Sequence, residues 1–145
     1  MPIPSTRQTN TIPFMGKMLA LNSNNQIDQI PFKVNTASKT TDYTVLASES
    51  GTFFNNRGAT VAINFTLPAM ADGLNYHFYA ADDFAITVTS GTADKMICDN
   101  DVAADSLALS TASEIMGGCI FVVSDGTKWM ATAYLEESQT AVVAT

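Results

Sequence analysis

Between residues 61 and 89 apolar side chains return at every second position. Val61, Ile63, Phe65 and Leu67 alternate with Ala62, Asn64 and Thr66. Leu74, Tyr76, Phe78 and Ala80 alternate with Asn75, His77 and Tyr79, and Phe84, Ile86 and Val88 with Ala85, Thr87 and Thr89. Successive side chains of a strand point to opposite faces, so this period makes half-buried strands. The i, i+3, i+4 spacing of an amphipathic helix appears nowhere over a useful length. Pro68, Asp72-Gly73, Asp82-Asp83 and Ser90-Gly91 punctuate the runs.

The same texture extends in both directions. Thr41 to Leu46 and Gly51 to Asn55 precede it; Lys95 to Cys98, Ser106 to Leu109, Cys119 to Val123 and Thr127 to Tyr134 follow. Asp125-Gly126 between the last two runs is a strong hairpin signal. Within residues 102–116, Val102-Ala103-Ala104 and Leu107-Ala108-Leu109 are also compatible with a helical turn. About eight or nine short strands at roughly ten-residue spacing predict an all-β fold. The expected architecture is an antiparallel β-sandwich or barrel, jelly-roll-like, with Phe53, Phe65, Leu67, Tyr76 and Phe78 in its core. Trp129, with Ala131 and Ala133 at the same parity, reads as a further core residue.

Residues 1–40 have a different texture. Pro2, Pro4, Pro13 and Pro31 interrupt any helix, and Asn22 to Asn25 form a polar turn cluster. Short apolar patches remain around Phe14-Met15, Leu19 to Leu21 and Phe32. They are too scattered for a core and suit an extended N-terminal arm anchored on a partner. The organisation expected is therefore an arm at 1–40, a β body at 41–135 and a C-terminal tail at 136–145.

Charge sharpens this division. Only 14% of residues are charged, against about 25% in ordinary domains, and the net charge is −7. Residues 1–41 hold Arg7, Lys17, Lys33 and Lys39 against Asp28 alone, a local +3. Residues 72–127 hold nine acids against Lys95 alone, a local −8. A basic leader before an acidic body suggests a segment that docks elsewhere, whereas a nucleic-acid binder usually carries the opposite overall sign. The first ten residues show no apolar signal region, and no stretch approaches the roughly 18 apolar residues of a membrane span.

The sequence holds no catalytic constellation. His77 is the one histidine, on the more polar side of its strand, and no G-x-S-x-G elbow presents a serine. Cys98 and Cys119 read as two buried thiols. With one His and two Cys the chain falls short of the four ligands of a structural zinc site, and no glycine-rich phosphate loop occurs. Asp82-Asp83 and Glu136-Glu137 are sequence neighbours and so point apart on a strand. Asp94, Asp99, Asn100, Asp101 and Asp105 gather oxygen ligands of the kind calcium takes. From Asp99, however, the sixth position is not glycine and the twelfth is not acidic, so a solvated acidic loop is the reading adopted. The expectation is a non-enzymatic module with no cofactor and no metal.

An ordered series of motifs points to a family. Tyr43-Thr-Val, Glu49-Ser50-Gly51-Thr-Phe53, Asn56-Arg57-Gly58-Ala59, Phe65-Thr66-Leu67-Pro68-Ala69, Gly73-Leu74-Asn-Tyr76-His-Phe78 and a closing Trp129-Met130-Ala131-Thr132 follow one another. Over about residues 41–134 this resembles a β-module of tailed-bacteriophage structural proteins, found in head decoration (cement) proteins and in head or tail fibres. The resemblance implies a virion protein on the capsid surface, made in the host cytoplasm. It also implies a homotrimer over capsid junctions that binds the major capsid protein and stabilises the head. In that reading the arm carries the contact: Phe14, Met15, Leu19, Leu21 and Phe32 fill pockets, and Arg7, Lys17, Lys33 and Lys39 meet acidic coat surface. The alternative is a fibre or spike module binding a host-surface receptor through Tyr79, His77 and the acidic loops. The family's pattern carries over no catalytic residue.

Overall fold

The computed structural model describes residues 34–109, 115–136 and 139–145 in full, and the backbone of three strands within 11–29. The chain divides into two compact units, Met1–Lys33 and Val34–Thr145. In the first, β1 (Thr11–Phe14), β2 (Lys17–Leu21) and β3 (Ile27–Gln29) pair as an antiparallel three-stranded sheet. These residues were expected as one extended arm; their backbone instead doubles back on itself.

The second unit is all β and sandwich-like. It comprises β4 (Asn35–Ser38), β5 (Tyr43–Thr44), β6 (Thr52–Asn55), β7 (Ile63–Thr66), β8 (Asp72–Tyr79) and β9 (Ile86–Thr89). Then follow β10 (Met96–Cys98), β11 (Asp101–Ala104), β12 (Ser106–Leu109), β13 (Cys119–Asp125), β14 (Trp129–Tyr134) and β15 (Ala141–Ala144). One sheet has the order β11-β10-β14-β13-β8-β6-β4, the other β15-β12-β9-β7-β5.

The sheets are mixed, which corrects the antiparallel expectation. From β4 to β9 each strand lies in the sheet opposite its predecessor, so neighbours within a sheet are alternate strands running the same way. β4, β6 and β8 are parallel, as are β5, β7 and β9. Connections such as 56–62 and 80–85 are long enough to cross the roughly 10 Å between packed sheets. Two short connections make hairpins, whereas the single residue Asp105 carries the chain from β11 into β12 of the other sheet. β13 and β14 pair antiparallel across the Asp125-Gly126 turn. β10 and β11 pair across Asp99-Asn100, whose φ values of 44° and 67° meet the two positive φ angles of a type I′ turn. That turn makes Val102 to Ala104 part of a strand and leaves no helical turn there.

The domain boundaries also move. β4 is an edge strand of the larger sheet and β15 of the smaller, so the β body runs from 34 to 145. Residues 141–144 are a paired strand where a tail was expected. Their Ala-Val-Val-Ala run is too short to show a period, and its partner β12 supplies the order.

The core lies between the sheets. Phe54, Phe65 and Phe78 form a triangle with ring centres 4.8–5.7 Å apart. Ile63, Tyr76, Ile86, Val88, Leu107, Leu109, Ile120, Val122 and Trp129 are buried around them. Each large side chain of this kind contributes roughly 1.5–3 kcal/mol of burial. The residue of the Phe53-Phe54 pair that enters the core is Phe54, not Phe53: Ala37, Phe54, Phe78 and Ile120 form one inward row across four paired strands. Phe53 lies on the outer face.

Candidate functional site: an uncharged aromatic strip

The outer faces of the two sheets differ in chemistry. On the smaller sheet, Asn64, Thr66, Thr87 and Thr89 stand outward; Thr89 Oγ1 donates to Asn64 Oδ1 at 2.7 Å and Asn64 Nδ2 to Thr66 Oγ1 at 3.3 Å. This is an ordinary solvated β surface. On the larger sheet, register alone builds three outward rows. Thr36, Phe53, His77, Phe121 and Thr132 form the central row, with Ser38, Asn55, Tyr79, Cys119 and Tyr134 on one side and Asn75, Val123 and Met130 on the other. No Asp, Glu, Lys or Arg occurs in them.

The rings interlock. Phe53 lies 6.1 Å from His77 and 5.6 Å from Tyr79, and His77 lies 4.5 Å from Phe121 at an interplanar angle of 35°. Coplanar neighbours cannot approach to 4.5 Å, so His77 and Phe121 turn their faces to each other. The ring faces that this pair turns to each other are closed to a partner. Flanking this band, Tyr134 is 61% and Met130 40% exposed. Burial between the rings lowers the His77 pKa, favouring the neutral imidazole.

Cys119 shares this face, a diagonal neighbour of His77 in the ladder. Burial pushes its thiol pKa up, partly offset by a backbone hydrogen bond at Phe78. A thiolate–imidazolium pair needs the opposite shifts in both partners, so this arrangement does not activate the sulfur. Cys98 lies in the core on β10, its thiol also pushed up by burial and by Asp101 and Asp99, and both cysteines are unbridged.

The other sequence candidates resolve into structural roles. In the acidic loop, Asp105 Oδ1 accepts from Asp94 N at 2.6 Å and Asp101 Oδ1 from Ala103 N at 2.8 Å. Asp99 and Asn100 are the I′ turn itself. Among the described residues, no three His, Cys, Asp or Glu side chains come together to hold a metal ion. Asp83 Oδ1 accepts from Ile115 N at 3.0 Å. A groove of about 390 Å³ opens where β10 and β14 face β12 and β15, with Ala131, Ala133 and Ala141 where the rest of the core has large side chains. The arm residues Arg7, Phe14, Met15, Lys17, Leu19, Leu21, Phe32 and Lys33 lie outside the described side chains; only the backbone of Phe14, Lys17, Leu19 and Leu21 is placed, in β1 and β2.

Sequence reasoning singled out His77 and Tyr79 and missed Phe53 and Phe121. The signal for Phe121 was its place between Ile120 and Val122 in an unbroken apolar run, which gives a strand two apolar faces. Comparison with known proteins finds no matching family model and no similar curated protein. What the geometry defines is a sandwich-like all-β unit with an aromatic strip, free of charged side chains, on the outer face of its larger sheet.

Proposed function

We propose that this chain is a structural binding module of a tailed-bacteriophage virion, a decoration protein that docks on the assembled head and stabilises it. The observation that carries this reading is the uncharged aromatic strip on the larger sheet. Phe53, His77, Tyr79 and Phe121 are half-buried, Tyr134 and Met130 beside them are exposed, and apolar bands rimmed by polar residues mark docking sites. Sugar recognition by stacking needs an open ring face, which on this sheet the exposed Tyr134 could supply, so the glycan-binding fibre is the second reading.

In this proposal the strip faces the major capsid protein, and the basic segment with Arg7, Lys17 and Lys33 meets acidic coat surface. Trimeric packing over a capsid junction is the assembly the family resemblance implies. The mechanism is mass action: a protein that binds only the assembled shell stabilises it by RT ln(1 + [L]/Kd), about 2.7 kcal/mol per site at a hundredfold excess over Kd. It requires no catalytic group and no cofactor.

The test is co-sedimentation with phage heads that lack the protein. Saturable binding that raises the heat resistance of the heads is expected, with the Phe53→Ser, Phe121→Ser double variant bound at least tenfold more weakly, about 1.4 kcal/mol. Truncation to residues 34–145 tests the N-terminal contact separately, because it spares β4. Failure to bind heads, together with binding to tails or host cells, overturns the decoration reading in favour of the fibre.

A further inference from the structure

Four edge strands bound the two sheets of the β body, and three carry the usual guards against pairing with another chain. β5 is only two residues long. β11 is entered through the Asp99-Asn100 turn, begins with Asp101 and is irregular in register. β4 is followed directly by Lys39. β15 has none of these features. From Gln139 to Thr145 the chain reads Gln-Thr-Ala-Val-Val-Ala-Thr, without a charge, a proline or a glycine.

One edge of β15 is used. Ala141 to Ala144 pair in unbroken antiparallel register with Leu109 to Ser106. In such a ladder alternate residues turn their N–H and C=O groups away from the partner. The Asp105 N–H reaches the Ala144 carbonyl at 2.7 Å, where the chain corners from β11 into β12. Beyond the β12 ladder, the backbone of 141–143 has no other backbone hydrogen bond among the described residues. Ala141 and Val143 pack against the core, while Val142 stands outward and is 51% exposed.

We propose that β15 is the contact strand for a second copy of this chain, two β15 strands pairing antiparallel about a two-fold axis to join the smaller sheets of the two copies. Such a contact is self-complementary by symmetry. Each strand meets the same Ala-Val-Val-Ala sequence, so Val and Ala side chains face one another and backbone groups pair. Charge selects this edge. Two chains of net charge −7 repel, and β15 is the edge with no charged side chain either on the strand or next to it: Lys39 follows β4, Asp42 precedes β5 and Asp101 begins β11. The pairing leaves the aromatic strip, on the other sheet, free for a different partner.

The experiment is the solution mass of the full chain by light scattering over a dilution series, with Val142→Lys and Val142→Thr. A twofold mass that falls to the single-chain value on dilution is expected, lost in Val142→Lys and kept in Val142→Thr. Val142 is exposed, so the lysine variant keeps the thermal midpoint of the monomer; Thr140→Lys is a second variant with the same expected loss. A single-chain mass for the wild type at every concentration overturns the proposal. So does a dimer or trimer indifferent to both lysines, or capture of extended peptides without self-association. No phage head enters this measurement, so its failure is distinguishable from a failure to bind heads; a twofold mass would, however, replace the trimer of the decoration reading with a dimer.

Discussion

The side chain of Asn56 holds the backbone at Asp82 from both sides: Nδ2 donates to the Asp82 carbonyl at 3.0 Å, and Oδ1 accepts from the Asp82 N–H at 2.9 Å. Nδ2 also donates to Phe84 O at 3.0 Å, and Oδ1 accepts from Ala81 N at 2.7 Å. Asp82 answers through its carboxylate, which accepts from the Gly58 N–H. The loop from β6 to β7 is thereby tied to the loop from β8 to β9. This is the physical content of the Asn56-Arg57-Gly58-Ala59 motif. Asn56 is fully buried. Asn56→Ala strands two donors and two acceptors and is expected to cost about 3–4 kcal/mol in denaturant unfolding. A loss below about 1 kcal/mol would show that water replaces the clamp.

Trp129 carries the opposite situation. It is fully buried, 5.9 Å from the Tyr76 ring, yet its Nε1–H has no partner among the described residues. Trp129→Phe removes that orphan donor along with part of the ring. The two effects oppose, so a change under about 1.5 kcal/mol is expected, against about 3–5 for Trp129→Ala. Thermal melts of the two variants separate them; a Phe variant as weak as the Ala variant would imply a bound water on Nε1.

Two glycines predict unequal costs. Gly73 and Gly91 both have positive φ, 81° and 73°. A Cβ on Gly73 meets nothing within 4 Å, whereas one on Gly91 falls 2.8 Å from the Leu67 carbonyl oxygen. Gly73→Ala should cost about 1–2 kcal/mol for the left-handed backbone alone. Gly91→Ala should add a further 1–3 kcal/mol, roughly, because the atom in its way is backbone. Equal costs measured by urea titration would contradict this.

The pH dependence of stability has two windows with separate causes. His77 titrates lower in the fold than its ordinary 6.5 because of burial, so the unfolded chain takes up the proton first. Its contribution is full above 6.5 and declines as pH falls from there toward the lower folded value. Asp125 is held down to about 2 from 3.8 by backbone and side-chain hydrogen bonds from Lys128 and Thr127. Its contribution is present above 3.8 and is lost as pH falls toward 2. His77→Gln should flatten the first slope and Asp125→Ala the second. Unchanged slopes in unfolding measured across pH would assign them to other groups.

The alternation of Ile63 to Leu67 and Leu74 to Ala80 determined strands, and Pro68 and Asp125-Gly126 determined where two of them stop, because backbone sterics and the two-residue period act within a few residues; Asp72-Gly73, expected as a turn, lies inside β8. The sequence by itself also determined most of the core, His77 and Tyr79 as outward residues, and the acidic body. It did not decide which of Phe53 and Phe54 faces inward. Two adjacent phenylalanines satisfy either phase, and only pairing with Phe78 on β8 and Ala37 on β4 fixes the register. Nor did it decide that β6 pairs with β8 and not with β7, because a loop's residues do not state which sheet its far end joins. The aromatic strip is a product of that pairing: Phe53, His77 and Phe121 come from three strands far apart in sequence. Only the tertiary register placed them side by side, because cross-strand neighbours are set by long-range hydrogen bonding and not by local spacing.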